Sequence, residues 1–252
     1  MKAVRIKFHQ DTAQFRNPLM NGKNRTTFPL PPYSTMIGMV HRLCKWDTTH
    51  TINVSVMCTN ERLSSPQVDR SYGWIGGNPA RTLTKEFQTR WSIVVDDGSD
   101  GYMGWGRMLK NDSILVDRNY TVHINSENEN ELKQIYQAFL YPPIYPSLGR
   151  WEDTIRIDEV KIVNVEDEEK EEKLKAFSWL PREKCPQEVI GTIYKIPTFY
   201  TIFYERRIFD YKSCYIGNIG SSSIIRLDEN GEQVLFVKSV FEKIIKSSLH
   251  TT

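Results

Sequence analysis

The sequence predicts an α+β fold. It has a ferredoxin-like (RRM-like) β-α-β-β-α-β core over residues 1–170, interrupted at about 62–112 and followed by a smaller β-rich subdomain at 175–252. Three observations carry this expectation. Strand-like and helix-like patterning alternate in that order on both sides of a long break. The break itself is rich in glycine and aromatic residues and weak in periodicity. The last third is β-rich and holds several short β-type runs.

The first strand is read at Ala3–His9, where Val4, Ile6 and Phe8 alternate with Arg5, Lys7 and His9. A loop rich in Asn, Pro and basic residues follows. Ser34 then reads as the N-cap of a helix, Ser34–Trp46, with Pro31 and Pro32 just upstream. Ile52, Val54 and Val56 mark the second strand, and Tyr120, Val122 and Ile124 the third. Leu132, Ile135, Tyr136 and Phe139 follow helical spacing. Ile155, Ile157, Val160 and Ile162 form the fourth strand, with a change of phase at Asp158–Glu159 that predicts a bulge. Further strands are expected at Thr192–Ile196, Thr198–Tyr204, Ser213–Ile219 and Gln233–Val237.

Composition narrows the function classes. No run approaches the roughly 18 apolar residues that a membrane span needs, and the amino terminus reads as a strand and not as a secretory leader. A cytoplasmic protein is expected. The four cysteines, Cys44, Cys58, Cys185 and Cys214, lack metal-site spacing, so free buried thiols are expected, with no metal and no cofactor. Nucleotide-binding and hydrolase fingerprints are missing; GWIGGNPAR is glycine-rich but does not join a buried strand to a helix.

Net charge is only +2, so any anion site must be local. Residues 1–50 hold eight Lys and Arg against Asp11 and Asp47, whereas 166–172 read EDEEKEE. Single-stranded nucleic acid is held by cations on phosphates and flat rings on bases, commonly over an open ferredoxin-like sheet and its loops. Arg16, Lys23 and Arg25 supply cations in the first loop. In the insertion, Tyr72, Trp74, Phe87 and Trp91 interleave with Arg70, Arg81, Lys85 and Arg90. The alternative is that those aromatics form a small satellite core. Ser34 at a helix start is either an anion site or a plain cap, with Arg42 and Lys45 at the far end. Gly149 reads as a turn glycine, and Arg150 beside it as a phosphate ligand or a turn residue.

Taken in order, AQFRNP, TFPLPPYSTMIGMVHRL and YPSLGRWEDTIRIDEVKIV resemble the fifth family of CRISPR-associated (Cas) proteins, in the RAMP superfamily. Type I-B members are the nearest match. These motifs lie within residues 1–165. The resemblance implies a thumb-like β-hairpin at the insertion. It also implies a non-catalytic subunit of a Cascade surveillance complex that caps the 5′ handle of crRNA. Its partners would be the backbone subunit, the large subunit and, indirectly, target DNA. Carried over by position are Phe15 and Arg16, then Pro32, Ser34 and Gly38, then Leu148, Gly149 and Arg150. The alternative is a metal-independent endoribonuclease that processes precursor crRNA. Cleaving relatives use a Lys-His pair and a tyrosine after the first helix. Neither is present, although His41 or His50 remains open as a partner for Lys45. A pure protein-interaction module is the third reading.

Overall fold

Alternating apolar residues in the first strand meet matching residues on two neighbours, and this pairing organises the core. The structure, a computed structural model, describes residues 1–17, 24–60, 66–80, 84–85, 88, 93–96, 102–185, 192–203 and 206–237. In chain order the strands are β1 (Lys2–Ala13), β2 (Asn24–Arg25), β3 (Asn53–Cys58), β4 (Gln67–Ala80), β5 (Ile93–Asp96), β6 (Tyr102–Ser113) and β7 (Leu115–Asn125). They continue as β8 (Arg156–Asn164), β9 (Lys170–Lys173), β10 (Phe177–Pro181), β11 (Tyr194–Phe203), β12 (Arg206–Gly217), β13 (Ser222–Leu227) and β14 (Gln233–Val234). Helix α1 (Tyr33–Cys44) lies between β2 and β3, and α2 (Glu129–Leu140) between β7 and β8.

The chain divides into two units. One comprises Met1–Phe15, Phe28–Ser64 and Leu115–Thr252; the other comprises Arg16–Thr27 and Ser65–Ile114.

In the first unit a seven-stranded antiparallel sheet runs β11-β12-β10-β3-β7-β1-β8. Its four strands β8-β1-β7-β3 stand in the 4-1-3-2 order of the ferredoxin-like fold. Val4 pairs with Ile124, which pairs with Val54; Ile6 pairs with Val122, which pairs with Val56. These side chains are buried, and the apolar faces of α1 and α2 join them in one core. The β1–β8 register shifts where Lys7 faces Glu159 and Phe8 faces Ile157, so Asp158 is the bulged residue.

Helix α1 starts one residue before the predicted cap. Pro32 is the N-cap, its carbonyl accepting from Thr35 N at 3.0 Å and Met36 N at 3.2 Å. Ser34 is instead a buried residue of the first turn and makes no capping bond. Proline fixes the extended entry to the helix but supplies no side-chain cap.

The β-rich C-terminal third is shared between two sheets and is not set apart from the core. β10, β12 and β11 extend the main sheet beyond β3, while β14-β13-β9 form a small sheet. Trp179 of β10 is wholly buried, and its indole N–H donates to Pro31 O at 2.9 Å. Its ring stands edge-on to Phe28 at 6.2 Å. A C-terminal strand therefore anchors the proline-rich entry to α1.

The polar face of the ferredoxin-like sheet is closed, against the expectation of an open one. Arg5 Nη1 donates to Asp228 Oδ2 at 2.6 Å, and His123 Nε2 donates to the same oxygen at 3.2 Å. Leu235 N donates to Ser55 Oγ at 2.9 Å. Arg5, Ser55, His123 and Asp228 are all buried there. The segment from β13 to β14 occupies the face on which RRM-like domains stack bases.

In the second unit, β4 and β6 form a long antiparallel pair from Gln67↔Ser113 to Ala80↔Tyr102. β5 pairs with the start of β6, and β2 runs parallel to its end through Asn24↔Asn111 and Arg25↔Asp112. The basic first loop and the insertion thus share one sheet.

All four cysteines are free. Burial pushes the thiols of Cys44 and Cys214 up to about 12. Among the described residues no helix is long and apolar enough to cross a membrane.

Candidate nucleic-acid interface

The turn 147–153 is held to the end of β1 by one buried carboxylate. Asp153 Oδ2 accepts from Gln14 N at 3.0 Å, Arg150 N at 3.1 Å and Arg150 Nε at 2.9 Å; Oδ1 accepts from Arg150 Nη2 at 2.6 Å. Gln10 Nε2 adds bonds to Leu148 O at 2.7 Å and Asp153 O at 3.0 Å. Gly149 sits in this lock at φ +101°, and a Cβ there would stand 2.8 Å from Gln14 O and 3.3 Å from the Phe15 ring. Only glycine fits both the dihedral and the space.

Beside this turn lies a cavity of about 660 Å³, a size suited to a small organic ligand. One wall is the outward stripe of α1, Thr35, Gly38 and Arg42, continued by Lys45. These positions follow helical spacing and so share a face. Ser147, Gly149 and Trp151 of the turn line it too, as does Tyr200 of β11. Trp151 is 83% exposed, a rare state for the largest side chain. Asp47 is the one acidic residue among the described lining. A larger cavity of about 910 Å³ lies elsewhere in the same unit, lined by Glu127, Glu129, Asp167, Glu169 and Glu183 together with Lys2, Lys184 and Arg226. Those cations are already paired with its carboxylates, Lys2 with Glu129 and both Lys184 and Arg226 with Glu169, so the smaller cavity is the better candidate for a polyanion.

Lys45 closes α1 in the left-handed region, at φ 54° and ψ 39°. Its N–H donates to Arg42 O at 3.3 Å, and Trp46 N donates to His41 O at 3.0 Å. Glycine is the usual residue here, because a Cβ crowds the following carbonyl.

The histidines near this cavity are tied into the scaffold. His41 Nδ1 donates to Ile37 O at 2.9 Å, and its Nε2 accepts from His50 N at 3.0 Å. Both ring nitrogens are thereby engaged. His50 donates through Nδ1 to Glu131 at 2.9 Å and stacks on Trp46 with ring centroids 4.1 Å apart. Those two contacts fix the loop that follows α1.

No protein-family model matches the chain, and no curated protein sequence matches it. Solved structures do. One described as a "CRISPR RNA-guided surveillance complex" superposes with a TM-score of 0.50 at 15% identity, over 87% of this chain and 91% of that one. A "CRISPR protein from Archaeoglobus fulgidus" gives 0.42 at 13% identity, over 95% of this chain and 100% of that one. A "Type III-B Cmr-beta bound to cognate target RNA and AMPPnP" gives 0.41 at 12% identity, over 88% and 86%. The likeness is one of fold.

The predicted site residues fall into separate groups. Arg42, Lys45 and Gly149 meet at the cavity. Arg150 lies beside it, bound twice by Asp153. Phe15 is 3% exposed and belongs to the core, so its ring supports the turn and is not open to a base. Ser34 is buried in the first turn of α1. Arg16 is exposed, in a bridge with Thr27 in the second unit, and Lys85 is exposed there too. Arg25 lies on β2 and Arg70, Tyr72 and Trp74 on β4, placed by their backbone. Lys23, Arg81 and Arg90, with Phe87 and Trp91, lie outside the described residues, as does His250.

Three residues escaped the sequence reading, Asp153, Trp151 and Tyr200, as did the open side of Gly38. Trp151 stands in a quoted motif, and an aromatic directly after Gly-Arg in a turn is a usable signal. Tyr200 offers none, because it reaches the cavity only through the folding of β11 onto the main sheet.

Proposed function

We propose that this protein is a non-catalytic subunit of a type I CRISPR Cascade surveillance complex, nearest to type I-B, that binds the 5′ handle of crRNA. The observation that carries this reading is the cavity lined by Arg42 and Lys45 of the α1 stripe together with the exposed Trp151. That pairing of cations with a free aromatic face is what single-stranded RNA requires. The ordered motifs of residues 1–165 and the ferredoxin-like core agree with it. In this reading the insertion, with Arg70, Arg81, Lys85 and Arg90, is a second RNA-contacting part, and the backbone and large subunits are the protein partners.

The non-catalytic part rests on His41. A general base needs a free lone pair directed at the 2′-OH. The lone pair on His41 Nε2 accepts from His50 N. The reading predicts that repeat RNA stays intact in EDTA; cut products that vanish in His41→Ala would install the endoribonuclease alternative.

Binding is tested by fluorescence anisotropy with a 3′-labelled synthetic RNA of the accompanying CRISPR repeat, titrated at several salt concentrations. Arg42→Glu combined with Lys45→Glu removes two phosphate contacts. The slope of log affinity against log salt should shrink by about 1.4, at about 0.7 per contact on single strands. Unchanged affinity and slope would remove the cavity from the interface.

A further inference from the structure

We infer that Gly38 opens a bay in α1 that receives one nucleobase of the bound strand, with Trp151 as its stacking partner. This rests on the RNA-binding reading of the same cavity and names what that cavity selects.

Gly38 lies in the interior of α1, where glycine is the poorest helix former after proline. Its dihedrals give no reason for glycine, since no left-handed φ is present there. Packing gives none either: a Cβ built at Gly38 meets nothing within 4 Å. Gly149 differs on both counts. The helix therefore carries an unfavourable residue that neither the fold nor a close neighbour requires.

The space left open is not solvent on a bare surface. Gly38 lines the cavity between Thr35 and Arg42, with Trp151 and Tyr200 lining it too. A second local rule is broken on the same stripe, where Lys45 holds a left-handed turn that favours glycine. Departures of this kind gather where a site has been built at the expense of local stability. The lining fits a flat ring attached to a phosphate: aromatic faces for stacking, Arg42 and Lys45 for charge, and the hydroxyls of Thr35 and Ser147 for the base edge. An apolar protein side chain would not call for two cations with Asp47 the only acid among the described lining.

The test uses the full chain, the same 3′-labelled repeat RNA, and a series in which each nucleotide of the 5′ handle is abasic in turn. Gly38→Leu fills the bay; Gly38→Ala leaves most of it open. The expected result is about tenfold weaker binding for Gly38→Leu, the loss that one stacked base accounts for. Its melting temperature should equal or exceed that of the parent, and Gly38→Ala should bind within about twofold. One abasic position should cost the parent the same factor and cost Gly38→Leu nothing further. Gly38→Leu binding as tightly as the parent, or abasic losses that add fully to it at every position, overturns the bay. If Arg42→Glu with Lys45→Glu weakens binding while Gly38→Leu does not, the bay falls and the RNA reading stands. If neither weakens binding, both fall. Normal RNA affinity with failed assembly of Gly38→Leu into the complex would make the bay a protein contact and overturn the inference.

Discussion

The Asp153 carboxylate accepts the backbone N–H of Gln14 at 3.0 Å, tying the end of β1 to a turn 139 residues further along the chain. The same carboxylate carries Arg150, and its side chain is fully buried. Removing it leaves Arg150 without its bidentate partner and two N–H groups without an acceptor. Loss of one partner of a buried ion pair costs about 3–5 kcal/mol. Asp153→Ala should therefore lower the urea midpoint markedly, and Asp153→Asn should lie between it and the parent. A midpoint unchanged in Asp153→Ala would show that the lock does not hold the turn.

Gly149→Ala acts at the same place by another route. Its φ of +101° and the 2.8 Å approach to Gln14 O both oppose a methyl group. A cost of about 1–3 kcal/mol is expected from the strained backbone alone. Equilibrium unfolding of Gly149→Ala beside Gly38→Ala separates the two kinds of glycine: the first should destabilise and the second should not.

The ferredoxin-like core was legible because each of its strands carries one apolar face, although the polar face is covered as well. Val4, Ile6 and Phe8, then Val54 and Val56, then Tyr120, Val122 and Ile124 report that burial directly as alternation. The bulge at Asp158 was legible for the same reason, as a break in phase. β4 and β6 were not, because glycines such as Gly76 and Gly104 fall opposite one another and interrupt any alternation. β10 is five residues long and ends in Pro181, too short to show a period. At the site, the cations of α1 were visible as charges near a helix end. Asp153 was not, since a lone acid in a turn reads as solvated until Gln14 and Arg150 are seen around it. The exposure of Trp151 is set by the fold, and its place directly after Gly-Arg in a turn was the hint of it.

Acid should weaken the closure of the sheet's polar face. Burial lowers the pKa of His123, with its bond to Asp228 opposing that fall. Burial pushes Asp228 upward, but hydrogen bonds from His123, the Glu232 backbone and Arg5 outweigh it and hold the carboxyl far below its usual range. In the fold His123 stays neutral, while in the unfolded chain it takes a proton below about 6.5. Its contribution is complete above that pH and declines as pH falls toward the folded value. Asp228 contributes above about 3.9 and is lost as pH falls below it. Glu159, lowered chiefly by its bond from Lys161, acts in the same sense. His9 is raised, chiefly by Asn119, and acts in the opposite sense; lying nearer the surface, it is screened more and its effect is smaller. Urea midpoints should fall between pH 7.5 and 5.5, and His123→Gln, which keeps a donor for Asp228, should flatten that interval. An equal slope in the variant would assign the acid sensitivity to other groups.

Lys45→Gly sets stability against binding at a single residue. A lysine at φ 54° bears a left-handed backbone that glycine adopts freely. Replacing a strained non-glycine residue there raises stability by up to about 1 kcal/mol, reduced by the greater entropy of glycine in the unfolded chain. The substitution also removes a cation from the cavity that Arg42 and Trp151 line. Thermal unfolding of Lys45→Gly should therefore show a midpoint at or above that of the parent, while anisotropy with the repeat RNA shows weaker binding and a salt slope smaller by about 0.7. Lys45→Arg should keep both the charge and the strain, and so bind and melt like the parent. If Lys45→Gly binds RNA as the parent does, the lysine is only a tolerated helix end, and the strained cation no longer supports the placement of RNA at this cavity.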